Sequence, residues 1–132
     1  LATFQDTSPV SDFIDNMTRY VIKADHRFRA MDPTGKDREL LQVISDSAFK
    51  ISGLTNKMLR GKLSGTVLGM RCTEKQLSAK ISRHLRLLRA HGIIRKLPRQ
   101  NRYQLTLKGV KLTNMLNAML AASTENLLKM AA

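Results

Sequence analysis

Arg83, Arg86 and Arg89 recur at three-residue steps, and Lys75, Gln76, Ala79 and Ser82 precede or interleave with them. No acid follows them before Lys111. On a helix, with Leu77 set at zero and about 100° per residue, these seven side chains gather on one face centred near 200°. Leu77, Ile81, His84, Leu85 and Leu88 fall within about 80° of zero and form the opposite, buried stripe. A guanidinium keeps its charge at any physiological pH and presents its N–H donors in a planar fork. The chemistry such a row serves is recognition of anions, not proton transfer. The small residues among the long ones let the face enter a groove.

The rest of the chain agrees. It has 132 residues and a formal net charge of +13, with 42% apolar and 25% charged residues. This is the length of one compact domain, with room for an extra helix. Ordinary composition argues against disorder and low complexity. Residues 1–50 hold seven Lys/Arg and eight Asp/Glu, a net of −1, and residues 51–132 hold sixteen and two, a net of +14. Between Lys57 and Lys111 stand fifteen cations and one acid, Glu74. A solvated face usually mixes both signs, so a surface this one-sided points to a polyanionic partner. Membrane-surface helices bury Trp or Phe, and the Arg-rich segment has neither.

Other chemistries find little support. The single Cys72 can form no internal disulfide and no Cys-based zinc site. His26, His84 and His91 lack metal-ligand spacing, and His84 reads as a packed core histidine. Gly61, Gly65 and Gly69 read as loop residues, not a phosphate cradle. Asp12 with Asp15, and Asp37 with Glu39, are paired acids at surface spacing. The expectation is a protein that is not an enzyme and needs no cofactor or metal. No apolar run is long enough to span a bilayer, and the first residues lack the order of a signal peptide, so the expected location is the cytoplasm.

The elements that must position the face follow from periodicity and caps. Val10, Phe13, Ile14, Met17, Val21 and Ile22 predict a first helix over 11–25. Met31 to Gly35 is a turn, and Leu40, Leu41, Ile44, Ala48 and Phe49 predict a second helix over 36–49 with Thr34 as its cap. Thr55 caps a third helix that ends near Leu63, with Leu54 stapled onto Leu59. Thr73-Glu74-Lys75-Gln76 has the form of a capping box and opens the Arg-rich helix, 73–91, with Cys72 as a staple onto Leu77. Beyond Gly92 the period falls to two, and residues 93–107 predict a hairpin. Pro98 to Asn101 supplies its turn, with Asn101 as the left-handed residue. Arg95, Lys96, Arg99 and Arg102 make this ribbon basic. An edge strand protected from aggregation by charge would show the same composition. Thr106 caps a last helix, whose start Gly109 weakens. Its Met115 and Met119 fit core packing or a partner helix.

Leu85-Arg86-Leu87-Leu88-Arg89-Ala90-His91-Gly92-Ile93-Ile94, leading into Tyr103-Gln104-Leu105-Thr106-Leu107-Lys108-Gly109, resembles bacterial winged helix-turn-helix DNA-binding domains of the MarR-like broad class. The resemblance covers residues 53–111. It implies a mainly α fold, a helical bundle with a two-stranded β-hairpin wing, extended by N- and C-terminal helices. It implies three parts: a helical extension at 1–50 that packs on or dimerises with the core, a DNA-binding core at 51–111, and a C-terminal helix at 112–132. It is also similar to the C-terminal module of larger bacterial proteins, which agrees with a chain that starts at Leu1. The loop from Ser64 to Cys72 is longer than the tight turn of the family.

The resemblance implies a regulator of transcription that binds double-stranded DNA, with the helix 73–91 in the major groove and the hairpin 93–107 on the backbone or in the minor groove. Arg83 and Arg86 are the candidates for guanine edges, Gln76 for adenine, and Ala79 and Ser82 lie on the same base-facing surface. Lys57, Lys75, Lys80, Arg89, Arg95, Lys96, Arg99 and Arg102 are candidates for phosphate contact. Thr55 and Asn56 add the amides of a helix N-terminus. A homodimer through the first and last helices is the expected assembly. The rival readings are a winged module that binds protein or RNA within a larger complex, and the targeting domain of an enzyme or mobile-element protein whose catalytic part lies elsewhere.

Overall fold

The computed structural model describes residues 19–131. Two short strands, β1 (Val21–Lys23) and β2 (His26–Phe28), form an antiparallel hairpin and are followed by α1 (Arg38–Ile44), α2 (Ser47–Ser52), α3 (Asn56–Leu63) and α4 (Glu74–Ala90). A second antiparallel hairpin, β3 (Ile94–Lys96) and β4 (Tyr103–Leu105), leads into the long α5 (Leu107–Ala131). The described residues are mainly helical, with two small hairpin sheets among them. No described helix is long and apolar enough to cross a membrane.

The expected first helix is corrected in its last part. Val21 and Ile22 lie in β1, and Ala24 and Asp25, with φ of 50° and 61°, turn the chain back into β2. Both central residues of a two-residue hairpin turn take positive φ in the type I′ geometry, which matches the twist of the strands. Residues 11–18 of that helix lie outside the described residues.

The expected second helix is two helices. α1 stops at Ser45, and Asp46 takes extended backbone and accepts a bond from the Ala48 amide at 3.0 Å, so it caps α2 and breaks the run. Asp37, not Thr34, is the residue that precedes α1.

The remaining caps stand where the sequence puts them. Thr55 Oγ1 accepts from the Met58 amide at 3.2 Å. Thr73 Oγ1 accepts from the Gln76 amide at 3.2 Å while Gln76 Oε1 accepts from the Thr73 amide at 2.9 Å, a complete capping box. Gly61 lies inside α3 and is not a loop residue.

One core runs from Met31 to Leu116 and gathers Leu40, Leu41, Ile44, Leu54, Leu59, Leu63, Ile93 and Leu112 around the apolar stripe of α4. Residues 31–49 therefore belong to the same packed unit as residues 51–111, and so does the first third of α5. Leu77, Ile81, Leu85 and Leu88 are buried, and each contributes about 2 kcal/mol of apolar transfer. Gly53 and Gly109 stand where chain segments meet. Gly53 closes α2 with φ of 79°, and a Cβ there would stand 2.8 Å from the Tyr103 carbonyl. A Cβ on Gly109 would stand 2.1 Å from the Ile93 carbonyl oxygen, so its absence lets α5 start against the hairpin.

Leu54 exchanges two backbone bonds with Tyr103, at 2.7 and 2.8 Å, and so joins the residue before α3 to β4. Thr106 caps α5 through the Gly109 amide at 3.1 Å and also donates to the Gly92 carbonyl at 2.5 Å. Beyond Leu116 no α5 residue with a described side chain is buried.

Candidate nucleic-acid interface

α4 is positioned from three sides. Its buried stripe sits on the core, its N-terminus is fixed by the capping box, and Asn56 ties it to α3. The Asn56 amide donates to the Ser78 carbonyl at 2.9 Å and to Ser82 Oγ at 3.0 Å, and its oxygen accepts from Ser78 Oγ at 3.2 Å. Helices α3 and α4 are thereby locked at their crossing. The loop between them is held by Lys80, whose Nζ donates to the Leu68 carbonyl at 2.9 Å.

The opposite face is open. Lys75, Gln76, Ala79, Ser82, Arg83, Arg86 and Arg89 are all exposed. Among the described residues the ion pairs are Arg29 with Asp37, Arg60 with Glu74 and Lys62 with Asp46. None involves an α4 cation. Glu74 stands in the first turn of α4, where the helix dipole favours a negative charge, and reaches Arg60 only at 4.0 Å. Two of the arginines are held by aromatic rings from flanking hairpins. The Arg86 guanidinium carbon lies 5.9 Å from the Phe28 ring centroid, and that of Arg89 lies 6.0 Å from the ring of Tyr103. A ring steadies a guanidinium without neutralising it, so its edge donors stay free.

Other candidates are engaged within the protein. Reading adenine takes both the oxygen and the nitrogen of an amide, and the Gln76 oxygen is given to its own cap. The side chains of Asn56 and Lys80 serve the α3–α4 crossing and its loop. Arg102 is half-buried beside Gly53 and donates to the Ser52 carbonyl, so it anchors the hairpin to α2. The Thr55 hydroxyl is the α3 cap. Lys57 is exposed near the start of α3.

On the hairpin, Lys96 and Arg99 are exposed, and Arg95 donates to Gln104 Oε1 at 2.8 Å. Arg99 itself, and not Asn101, takes the left-handed backbone of the turn, with φ of 58°. The Leu97 amide closes the turn on the Arg102 carbonyl at 2.9 Å.

The structure adds residues that sequence patterning missed. The β1–β2 hairpin packs beside the second half of α4 and brings Lys23, His26 and Arg27 next to Arg83, Arg86 and Arg89. The only signal for it was the β-branched pair Val21-Ile22, two residues before a turn. Asp37, read as a surface acid, is buried and accepts two bonds of 2.9 Å from Arg29 and one of 2.7 Å from the Asp32 amide. Burial alone would push its carboxyl up, but these bonds outweigh it and hold the group below the usual carboxylate range. His91, at the end of α4, is also buried, and its Nε2–H donates to the Arg29 carbonyl at 2.8 Å. Its burial, with Lys108 and Arg29 nearby, lowers its basicity despite that bond. His84 is half-buried and donates from Nδ1 to the Lys80 carbonyl at 2.7 Å.

Among the described residues no group of three or more His, Cys, Asp or Glu is placed to hold a metal ion. No protein-family model, curated protein or solved structure matches this chain.

Proposed function

We propose that this chain is a winged helix-turn-helix domain that binds double-stranded DNA as part of a bacterial transcriptional regulator, with α4 as the helix that enters the major groove. The carrying observation is the face of α4. Lys75, Arg83, Arg86 and Arg89 are exposed, outside every ion pair of the described residues, and set beside a hairpin whose Lys96 and Arg99 are also exposed. The order of elements supports the fold: a helical segment, a single strand residue at Leu54 bridged to Tyr103, two locked helices, then a hairpin.

In this reading Arg83 and Arg86 take base edges, since a guanidinium can give two parallel bonds to O6 and N7 of guanine. Ala79 and Ser82 leave room for them. Lys57, Lys75, Arg89, Arg95, Lys96 and Arg99 take phosphates, which set affinity and orientation without reading sequence. Gln76, Asn56, Lys80 and Arg102 act indirectly by holding the helix and the hairpin in place. No catalytic step belongs to the proposal. The described part of α5 beyond Leu116, with Met119 and Leu128 exposed, is the surface assigned to a second copy of the chain.

The test is equilibrium binding to mixed-sequence duplex. The Arg83→Glu/Arg86→Glu variant is expected to lose binding at least 100-fold while circular dichroism and thermal stability stay as in the wild type. Retained binding by this variant contradicts the reading.

A further inference from the structure

The β1–β2 hairpin, whose first strand falls within the helix expected over 11–25, belongs to the part expected to pack on or dimerise with the core. Its placement gives it another use, which rests on the DNA-binding reading above. In the pairing of β1 with β2, Val21 faces Phe28 and Lys23 faces His26, so these four side chains share one side of the ribbon, while Ile22 and Arg27 share the other. Phe28 turns that first side toward α4 and meets Arg86. Two depressions share Phe28 and Arg86 in their linings. One is lined by Lys23 with Arg86 and Arg89, and the other by His26 and Arg27 with Arg83 and Arg86.

The groove is cationic without an acid in its lining. Among the described residues Lys23, Arg27, Arg83, Arg86 and Arg89 are in no ion pair, whereas the neighbouring Arg29 is held by Asp37. Arg27 is set by the ring of Tyr20, with 4.2 Å from guanidinium carbon to ring centroid, so it too is oriented without being neutralised. Five cations around one groove repel each other unless an anion lies among them. The hairpin packs Val21 and Phe28 only partly and leaves Ile22 exposed.

We infer that this groove is a second phosphate-binding line, and that the domain grips duplex DNA with two ribbons. The β3–β4 hairpin holds the backbone next to Arg89, and the β1–β2 hairpin holds backbone phosphate at Lys23, beside Arg86 and Arg89, and at Arg27, which leaves from the other side of the ribbon and lies next to Arg83 and Arg86. Duplex is the occupant because the groove continues the surface of the helix that the same duplex would meet.

The experiment is salt-dependent binding of a 30-base-pair mixed-sequence duplex to three versions of the 132-residue chain: wild type, Lys23→Gln/Arg27→Gln, and Lys36→Gln/Lys111→Gln. The last pair removes the same charge from exposed positions outside the groove. The groove variant is expected to bind about tenfold more weakly and to flatten the log–log salt slope by about two, and the control variant to change affinity less than threefold. Equal effects in the two variants, or no effect in the groove variant while the wild type binds, overturn the second line and leave the α4 reading standing. Failure of the wild type to bind duplex at all overturns both.

Discussion

Arg29 holds the buried carboxylate of Asp37 through two bonds of 2.9 Å, and its own carbonyl receives the Nε2–H of His91 at 2.8 Å. One residue thus joins the exit of the first hairpin to the start of α1 by its side chain and to the end of α4 by its backbone. Lys108, at the start of α5, donates to the His91 carbonyl at 2.8 Å and extends the junction to the last helix. The orientation of the cationic helix is therefore set at its far end by polar contacts and along its length by apolar ones.

Asp37→Asn keeps the shape of that junction but removes the charge that Arg29 and the Asp32 amide complement. A loss of about 2 kcal/mol is expected, below the value for a fully buried pair because Arg29 is 40% exposed. Urea denaturation measures it. Since the folded carboxyl titrates below the ordinary aspartate value, its contribution is present above that value and is lost as acid takes the solution through the lower folded one. A variant as stable as the wild type at neutral pH contradicts this account of Asp37.

His91 acts in a higher range. Its folded basicity is lowered from 6.5, so below about pH 6.5 the unfolded chain takes up a proton that the folded protein refuses, and stability falls with pH until the folded value is passed. His91→Gln retains a donor for the Arg29 carbonyl and cannot titrate. The midpoint of thermal unfolding between pH 5 and 8 should fall toward acid more steeply in the wild type than in the variant. Parallel profiles would show that His91 is not the group responsible.

Gly109→Ala should destabilise although alanine is the better helix former by about 1 kcal/mol. The added Cβ would meet the Ile93 carbonyl oxygen at 2.1 Å, which forces α5 and β3 apart and costs about 2–4 kcal/mol. A rise in stability in urea denaturation would mean that α5 does not start against the hairpin.

The exposed side of α5 predicts a concentration-dependent dimer. Met119→Lys/Leu128→Lys changes two exposed positions and should leave a monomer of unaltered helicity in sedimentation equilibrium. A wild type that is monomeric at 100 μM removes α5 as a dimer surface.

What could be read from the sequence was what local rules decide. Thr55, Thr73 and Gln76 cap helices because their partners lie within three residues, and the exposed row from Lys75 to Arg89 follows from helical period alone. The longer-range arrangements were hidden. Val21 and Ile22 continued a three-and-four spacing that begins at Val10, and the turn after them uses Ala24 and Asp25 instead of Gly or Asn, so the first strand looked like the end of a helix. Asp37 looked like a surface acid because the residue that permits its burial, Arg29, stands eight positions away with a turn between. Gln76 and Arg102 looked like contact residues because type and charge say nothing of an acceptor already spent or a backbone carbonyl, that of Ser52, waiting fifty residues upstream.

The central claim is that the open face of α4 and its flanking ribbons displace counterions from duplex phosphates. Its most direct test is the affinity of the wild-type protein for mixed-sequence duplex at several salt concentrations between 50 and 300 mM. Five to eight phosphate contacts predict a log–log slope of about −5 to −7. A slope near zero, or no measurable binding at the lowest salt, contradicts the account.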